Sequence, residues 1–311
     1  QWKELDWNRL GETLNPEWRL FGRSTSDDKG PIVMLLNAID MLKADKKKIP
    51  YHIKVVLDGE EEKSSKPLPQ AVKDNRDLLK ADFLMINDGP VHPSNQPTLV
   101  YGCRGITSLS VTTFGPISPQ HSGHFGNYAP NPGFRLFHLL GSMKDENGKV
   151  LIEGYYDGIE LDEMTQQVLS SVPDDITSLH ERLAIHSPET VGSFYQESLQ
   201  YPSLNIRGIQ SGWVGEKART IVPESATAEI DLRLVVETDG TRLKTLVKQH
   251  IQNKGYFIVD RLPTKEERMT YPLIAMVKEG SVTDAFRTDL SNPYGQWMEK
   301  VLQTTFNEDV V

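Results

Sequence analysis

Three acidic sites in the first third of the chain have residue types that suit hydrolytic chemistry: Asp27-Asp28, Glu60-Glu61-Glu62 and Asp88. Carboxylates gathered in one place repel one another unless a positive charge sits between them. A divalent metal, or a pair of them, meets that need and lowers the pKa of a water enough to supply hydroxide near neutral pH. Each site alone reads as a solvated acidic turn; a shared location is what argues for metal. Three carboxylate sites without a histidine suit magnesium or calcium as well as zinc. Residue types and spacing leave the metal open.

Elements must bring these sites together. Ile32, Val33, Leu35, Leu36, Ile39 and Leu42 repeat at the spacing of one helical face. Asp27 and Asp28 precede that helix, where carboxylates favour its N-terminus; Asp28 is read as its cap or brace. Tyr51 to Leu57 reads as a strand ending at Asp58-Gly59, residues 68–80 as a helix, and Asp82 to Ile86 as a strand ended by Asn87-Asp88-Gly89-Pro90. Strand, helix, strand implies a parallel crossover. Its strands would end side by side at Gly59 and Asp88, where ligands of parallel sheets collect. Glu60 is read as a solvated neighbour.

The pattern changes after Arg104. Ile106 to Phe114 alternates as a strand with one exposed face, and a long mixed segment follows. Tyr201 to Gly208 and Ala226 to Val236 are strands, the second alternating Ala226, Ala228, Ile230, Leu232 and Leu234. Residues 239–254 form a helix with Leu243, Leu246, Val247, His250 and Ile251 on one face. Phe257 to Val259 and Leu273 to Val277 are strands, and a helix runs from Pro293 to about Phe306. This order predicts an α/β domain over 1–105, an inserted α+β sandwich over 106–278, and a return to the first domain over 279–311. Residues 1–20, with Trp2, Trp7 and Trp18, read as an irregular surface segment.

Composition narrows the function classes. A formal net charge of −9 at pH 7 argues against a nucleic-acid partner, which needs a clustered basic surface. No apolar run approaches the roughly 20 residues of a membrane span. The single cysteine, Cys103, excludes an internal disulfide and a cysteine-rich metal site. It is read as a packed core residue. A lone thiol fits a reducing compartment and favours the cytoplasm, while a start at Gln1 gives no reading of a signal peptide.

Several motifs carry a family resemblance. Gly22-Arg23-Ser24-Thr25-Ser26-Asp27-Asp28-Lys29-Gly30-Pro31 resembles the metal-binding motif of carnosinase-type metallopeptidases. Leu57-Asp58-Gly59-Glu60-Glu61-Glu62 resembles their paired-glutamate motif, and Tyr101-Gly102-Cys103-Arg104-Gly105 the entry to their lid domain. His121-Ser122-Gly123 resembles a histidine motif contributed across the dimer, and Thr220-Ile221-Val222-Pro223 and Asp231-Leu232-Arg233-Leu234 resemble two later lid motifs. In order and spacing the set is similar to the carnosinase-like dizinc family of dipeptidases, aminoacylases and glutamate carboxypeptidases, and within it to the dipeptidase branch.

The resemblance implies an α/β fold: a zinc-exopeptidase-like catalytic domain with a parallel-rich mixed sheet and an inserted α+β lid and dimerisation domain. It implies two Zn2+ per subunit, with Mn2+ or Co2+ as substitutes, a short peptide substrate and a homodimer through the lid. It assigns Asp27 as the bridge between metals, Glu62 and Asp88 as ligands of one metal each, and Glu61 as general base. His121 would stabilise the oxyanion in the partner's site, Arg233 would bind the substrate's terminal carboxylate bidentately, and Thr220 would assist by hydrogen bonding. His124 is read as structural, and a second lid histidine of carnosinases finds no counterpart. The resemblance also places a His-x-Asp motif just before Gln1, and a glycine-rich loop with a last histidine ligand after Val311. The chain is therefore expected to be truncated at both ends, inactive as it stands and weak in zinc binding. The alternatives are aminoacylase or carboxypeptidase activity, or a non-catalytic peptide-binding or dimerisation module. A magnesium-dependent phosphohydrolase would need phosphate-cradling glycines or added basic residues, which are not suitably arranged.

Overall fold

The computed structural model describes residues 19–311, so Trp2, Trp7 and Trp18 lie outside the described residues. The chain divides into two units at Val91/His92.

In the first unit, α1 (Lys29–Ala44) is the helix that the apolar spacing predicts, with Asp28 at its N-cap position. The turn before it is tight. Thr25 Oγ1 donates to the Gly22 carbonyl (2.8 Å), and the Lys29 N–H to the Ser24 carbonyl (3.0 Å). A Cβ at Gly30 would collide with the carbonyl oxygen of Thr25, so this position of the motif requires glycine. The single helix expected over 68–80 is two: α2 (Leu68–Asp74) and α3 (Arg76–Leu79). Asn75 separates them with a non-helical φ of −115° and ψ of 26°, its amide (2.8 Å) and its backbone N–H (3.1 Å) both donating to the Ala71 carbonyl. The segments 51–57 and 82–86, expected as strands, carry no ladder among the described residues. A strand is a property of a pair, because its N–H and C=O groups need a neighbouring strand. Their apolar side chains, Ile53, Val55, Leu84 and Ile86 among them, are exposed.

The second unit begins with β1 (Gly102–Cys103), β2 (Gly105–Phe114), β3 (Gln120–His121), α4 (Ser122–Phe125) and α5 (Pro132–Gly141). Then come α6 (Glu163–Ser171), α7 (Ile176–Leu183), α8 (Tyr195–Ser198), β4 (Ser203–Gln210), β5 (Ile221–Val222) and β6 (Ser225–Leu234). It closes with α9 (Gly240–Asn253), β7 (Phe257–Val259), α10 (Lys265–Thr270), β8 (Ile274–Glu279), β9 (Phe286–Arg287) and α11 (Pro293–Phe306). Five strands form a mixed sheet in the order β4-β6-β2-β8-β7, antiparallel except for the parallel pair β7 and β8. Two small ladders, β1 with β9 and β3 with β5, stand apart from it.

Alternation decides which face is buried. Leu109 and Val111 of β2 and Ala226, Ala228, Ile230, Leu232 and Leu234 of β6 point into one core. Leu136, Leu139 and Leu140 of α5 and Leu243, Val247 and Ile251 of α9 fill that core from the other side. His250, on the predicted inward stripe of α9, hydrogen-bonds Ser142 Oγ (2.9 Å). Helix α5 lay unread in the mixed segment although its start is signalled: Pro132 occupies the first turn and Asn131 accepts the Gly133 N–H (2.8 Å). Cys103 corrects the sequence reading, because it is exposed. Its two-residue ladder lies outside the five-stranded sheet. Among the described residues no helix is long and apolar enough to cross a membrane.

The alternation generates a stability prediction. Leu232→Ala should destabilise the fold by about 2–5 kcal/mol, the cost of a large core truncation. Arg233→Ala, one residue on and exposed, should stay within about 0.5 kcal/mol. Equilibrium denaturation measures both, and equal losses would refute the assignment of faces.

Candidate active site

In the first unit, Asp27, Asp28 and Asp88 line one open cleft of about 600 Å³, with Pro31, Met34 and Asn87. Asp27 and Asp28 are joined by a cis peptide bond. The structure places Asp28 at the N-cap position, as the sequence suggests, but its side chain makes no capping hydrogen bond. Asp88 Oδ1 accepts the N–H of Gly89 (2.6 Å).

The paired-glutamate motif forms a 3-10 turn, Glu61–Lys63. Asp58 Oδ1 accepts the Glu60 N–H (2.9 Å), and the Glu60 carbonyl accepts from Lys63 (2.9 Å) and Ser65 (3.0 Å). Glu60 thus acts through its backbone, which agrees with reading its side chain as a bystander. Glu61 is exposed, and its carboxyl is pushed above the ordinary carboxylate range. Desolvation is the first cause, followed by the charges of Glu62, Asp88, Asp27 and Asp58. On a group this open, the four charges are the causes that a mutation can address. Among the described residues no lysine or arginine forms an ion pair with Asp27, Glu61, Glu62 or Asp88. Their oxygen donors and net charge suit a divalent cation. Yet among the described residues no three His, Cys, Asp or Glu side chains converge closely enough to hold one.

The remaining predicted residues lie in the second unit. The His121 Nδ1 accepts the Gly123 N–H (3.0 Å). In the neutral ring this leaves Nε2 carrying the proton, a donor directed away from the turn. Gly123 is required for that contact, since a Cβ there would sit 2.9 Å from the His121 Cε1. This is the physical content of the His-Ser-Gly motif. Strand β3 pairs His121 with Ile221, and the Ser122 N–H donates to the Thr220 carbonyl (3.0 Å), so His121 and Thr220 are neighbours. The His124 ring stands 5.0 Å from that of His121.

Arg233 is elsewhere. The β2–β6 ladder runs from Gly105 opposite Leu234 to Phe114 opposite Ser225. Arg233 sits at the first end. His121 follows the other end of β2, and Thr220 precedes the matching end of β6. Eight residues of strand separate Arg233 from Ser225, on the order of 27 Å at about 3.4 Å per residue. The structure therefore groups Thr220 with His121 and not with Arg233, a nonlocal fact that spacing along the chain does not carry.

Residues 101–257 match the peptidase dimerisation domain of M20 peptidases. The chain is 30% identical over 244 residues to a Cys-Gly metallodipeptidase of Saccharomyces cerevisiae, covering 75% of this chain and 50% of that protein. It is 28% identical over 256 residues to a Beta-Ala-His dipeptidase of Rattus norvegicus, covering 80% of this chain and 52% of that protein. The chain thus spans about half the length of the curated relatives it matches. Among solved structures it is similar to an M20 family metallo-carboxypeptidase from Sulfolobus solfataricus, with a TM-score of 0.75 and 25% identity. That match covers 93% of this chain and 62% of the other.

The charge cluster yields a pH prediction. Asp88→Asn removes one of the charges that raise Glu61, so its pKa should fall back towards the ordinary carboxylate value. Titration of the Glu61 carboxyl 13C resonance in metal-free protein reads this, and an unchanged or higher midpoint would show that Asp88 does not act on it.

Proposed function

We propose, on the premise that this chain belongs to the M20 peptidases that carry the peptidase dimerisation domain, that the protein is a metal-dependent exopeptidase that releases the terminal amino acid of dipeptides or short peptides. The observation that carries the reading is the cleft lined by Asp27, Asp28 and Asp88, with Glu61 near enough to feel the charges of Asp27 and Asp88 and no cationic partner among the described residues. The names of the two curated relatives support dipeptides as the substrate class.

Asp27, Glu62 and Asp88 are the residues that would hold the metal, two Zn2+ with Mn2+ or Co2+ as substitutes. The metals, when bound, supply carbonyl polarisation and an acidified water. Glu61 would take the proton of that water and pass it to the leaving amine. Its raised pKa suits the task, since a base is most effective with a pKa near the working pH. Arg233 would hold the substrate carboxylate with its planar fork. His121 would donate from Nε2 to the developing oxyanion, with Thr220 beside it.

The separation of Arg233 from His121 supports a dimer. A dipeptide spans roughly 7 Å at about 3.5 Å per residue, far less than the ladder between them. One substrate can meet both residues only if they come from two copies of the chain. A two-fold axis supplies that arrangement, with one patch serving both sites.

Two measurements test the proposal. In zinc-dependent dipeptide assays of a form extended to the full length of its relatives, Glu61→Gln should lower turnover on the order of 10²–10⁴-fold while bound metal, measured by elemental analysis, is retained; metal loss would make Glu61 a ligand instead. Mixing inactive Glu61→Gln and His121→Ala subunits should restore activity, because a mixed dimer contains one site with both residues intact. Mixed dimers that form and stay inactive would rule out action across the interface.

A further inference from the structure

Arg104 and Arg233 stand at the same end of the central sheet. Arg233 lies opposite Ile106 on β2 and opposite Ser203 on β4. Arg104 immediately precedes β2, and its Nη2 donates to the carbonyl of Tyr201 (2.7 Å), two residues ahead of Ser203. The Arg104 Nε is buried and meets no acceptor. Arg207, Arg242, Arg261 and Arg287 each face a carboxylate. Among the described residues neither Arg104 nor Arg233 does. Burial first, and then the like charge of Arg233, push the Arg104 guanidinium below its ordinary value. Two cations this close raise each other's free energy, and an anion set against either relieves both.

We propose that Arg104 is a positioning residue for carboxylate recognition: a fixed, partly buried charge that strengthens the hold of Arg233 on a peptide's terminal carboxylate without touching the peptide. The inference rests on the role given to Arg233 above. Exposure divides the two roles. Arg233 is open and can present its fork to a ligand. Arg104 is tied to the backbone at Tyr201, so its charge stays in place whether or not a ligand is bound. Water screens a partly buried charge less than a surface one, so it acts across a gap without a direct bond.

The test compares binding of glycyl-leucine and glycyl-leucinamide to this chain by NMR, with arginine Nε–H resonances as probes. Wild-type protein should prefer the acid, and Arg233→Gln should abolish the preference. Arg104→Gln, checked for folding by circular dichroism, should keep its affinity for the amide and lose several-fold in affinity for the acid. Arg104→Lys, which keeps the charge, should stay near wild type. In the unmutated protein the Arg104 Nε–H resonance should shift with the acid and not with the amide, a readout that needs no variant. An Arg233-dependent preference for the acid, with Arg104→Gln binding unchanged and the Arg104 resonance still, overturns the inference. Equal losses from Arg104→Gln and Arg104→Lys also overturn it, since they mark a packing role. A wild-type protein without preference for the acid overturns the reading of Arg233 and this one with it.

Discussion

The ten-residue antiparallel ladder between β2 and β6 is the constraint on which the second unit depends. It sits at the centre of the sheet, with β4 on one side and β8 on the other. Side chains alternate with a period of two, so a slip of one residue would carry Ile230, Leu232 and Leu234 out of the core and bring Asp231 and Arg233 into it. The cost of burying that aspartate and arginine fixes the register as firmly as the gain from burying the leucines. Register then fixes where the candidate residues stand. The same pairing that hides Leu232 exposes Arg233 and sets it one residue from the β2 entry, beside Arg104. The other end delivers the chain to β3 and receives it from β5, which brings His121 next to Thr220.

The first unit is organised by the opposite force. Its functional side chains repel one another, and local backbone geometry holds them where they are. Gly30 lets the chain after Asp27-Asp28 pass against the Thr25 carbonyl. Asp58 and the Glu60 carbonyl tie the 3-10 turn that carries Glu61 and Glu62. Desolvation first, and then the charges of its carboxylate neighbours, push the Glu61 carboxyl above its ordinary range. Such an arrangement contributes little to stability, and its worth lies in the cation it would attract. Sites built in this way conflict with local stability and are expected where a chain does chemistry.

How much of this the sequence carried follows from the range of each interaction. Strands β2 and β6 and helix α9 are legible because periodicity reports a face buried against a core, whereas α11 buries no residue and is marked instead by Pro293 in its first turn. The acidic motifs were legible as a set because short spacings survive in sequence. Asn75 splits a helix by leaving the helical backbone region at one residue, a choice that apolar spacing does not record. Segments 51–57 and 82–86 have strand composition but no ladder among the described residues, since composition reports preference and pairing requires a partner. Cys103 departs from its expected burial for a related reason: cysteines are usually buried, but this one is exposed on a short ladder outside the five-stranded sheet. The pairing of Thr220 with His121 joins residues a hundred positions apart and follows only from the register of β3 against β5.

The two ends of the ladder also explain why a lid of this kind would be a dimerisation domain at all. A rigid strand pair is a poor way to bring its own ends together, because strands resist sharp bending and the core behind β2 and β6 stiffens them further. It is a good ruler for holding two recognition elements at a fixed separation. Within one chain that separation serves no short peptide, since the donor on His121 and the guanidinium of Arg233 lie too far apart to share it. Across a two-fold axis the same ruler lets each copy offer its His121 end where the other offers its Arg233 end. Under the roles proposed for His121 and Arg233, assembly would set the distance between oxyanion donor and carboxylate clamp, and that distance would limit the substrate's length. Selection for short peptides would thus reside in the interface as much as in any pocket of a single chain.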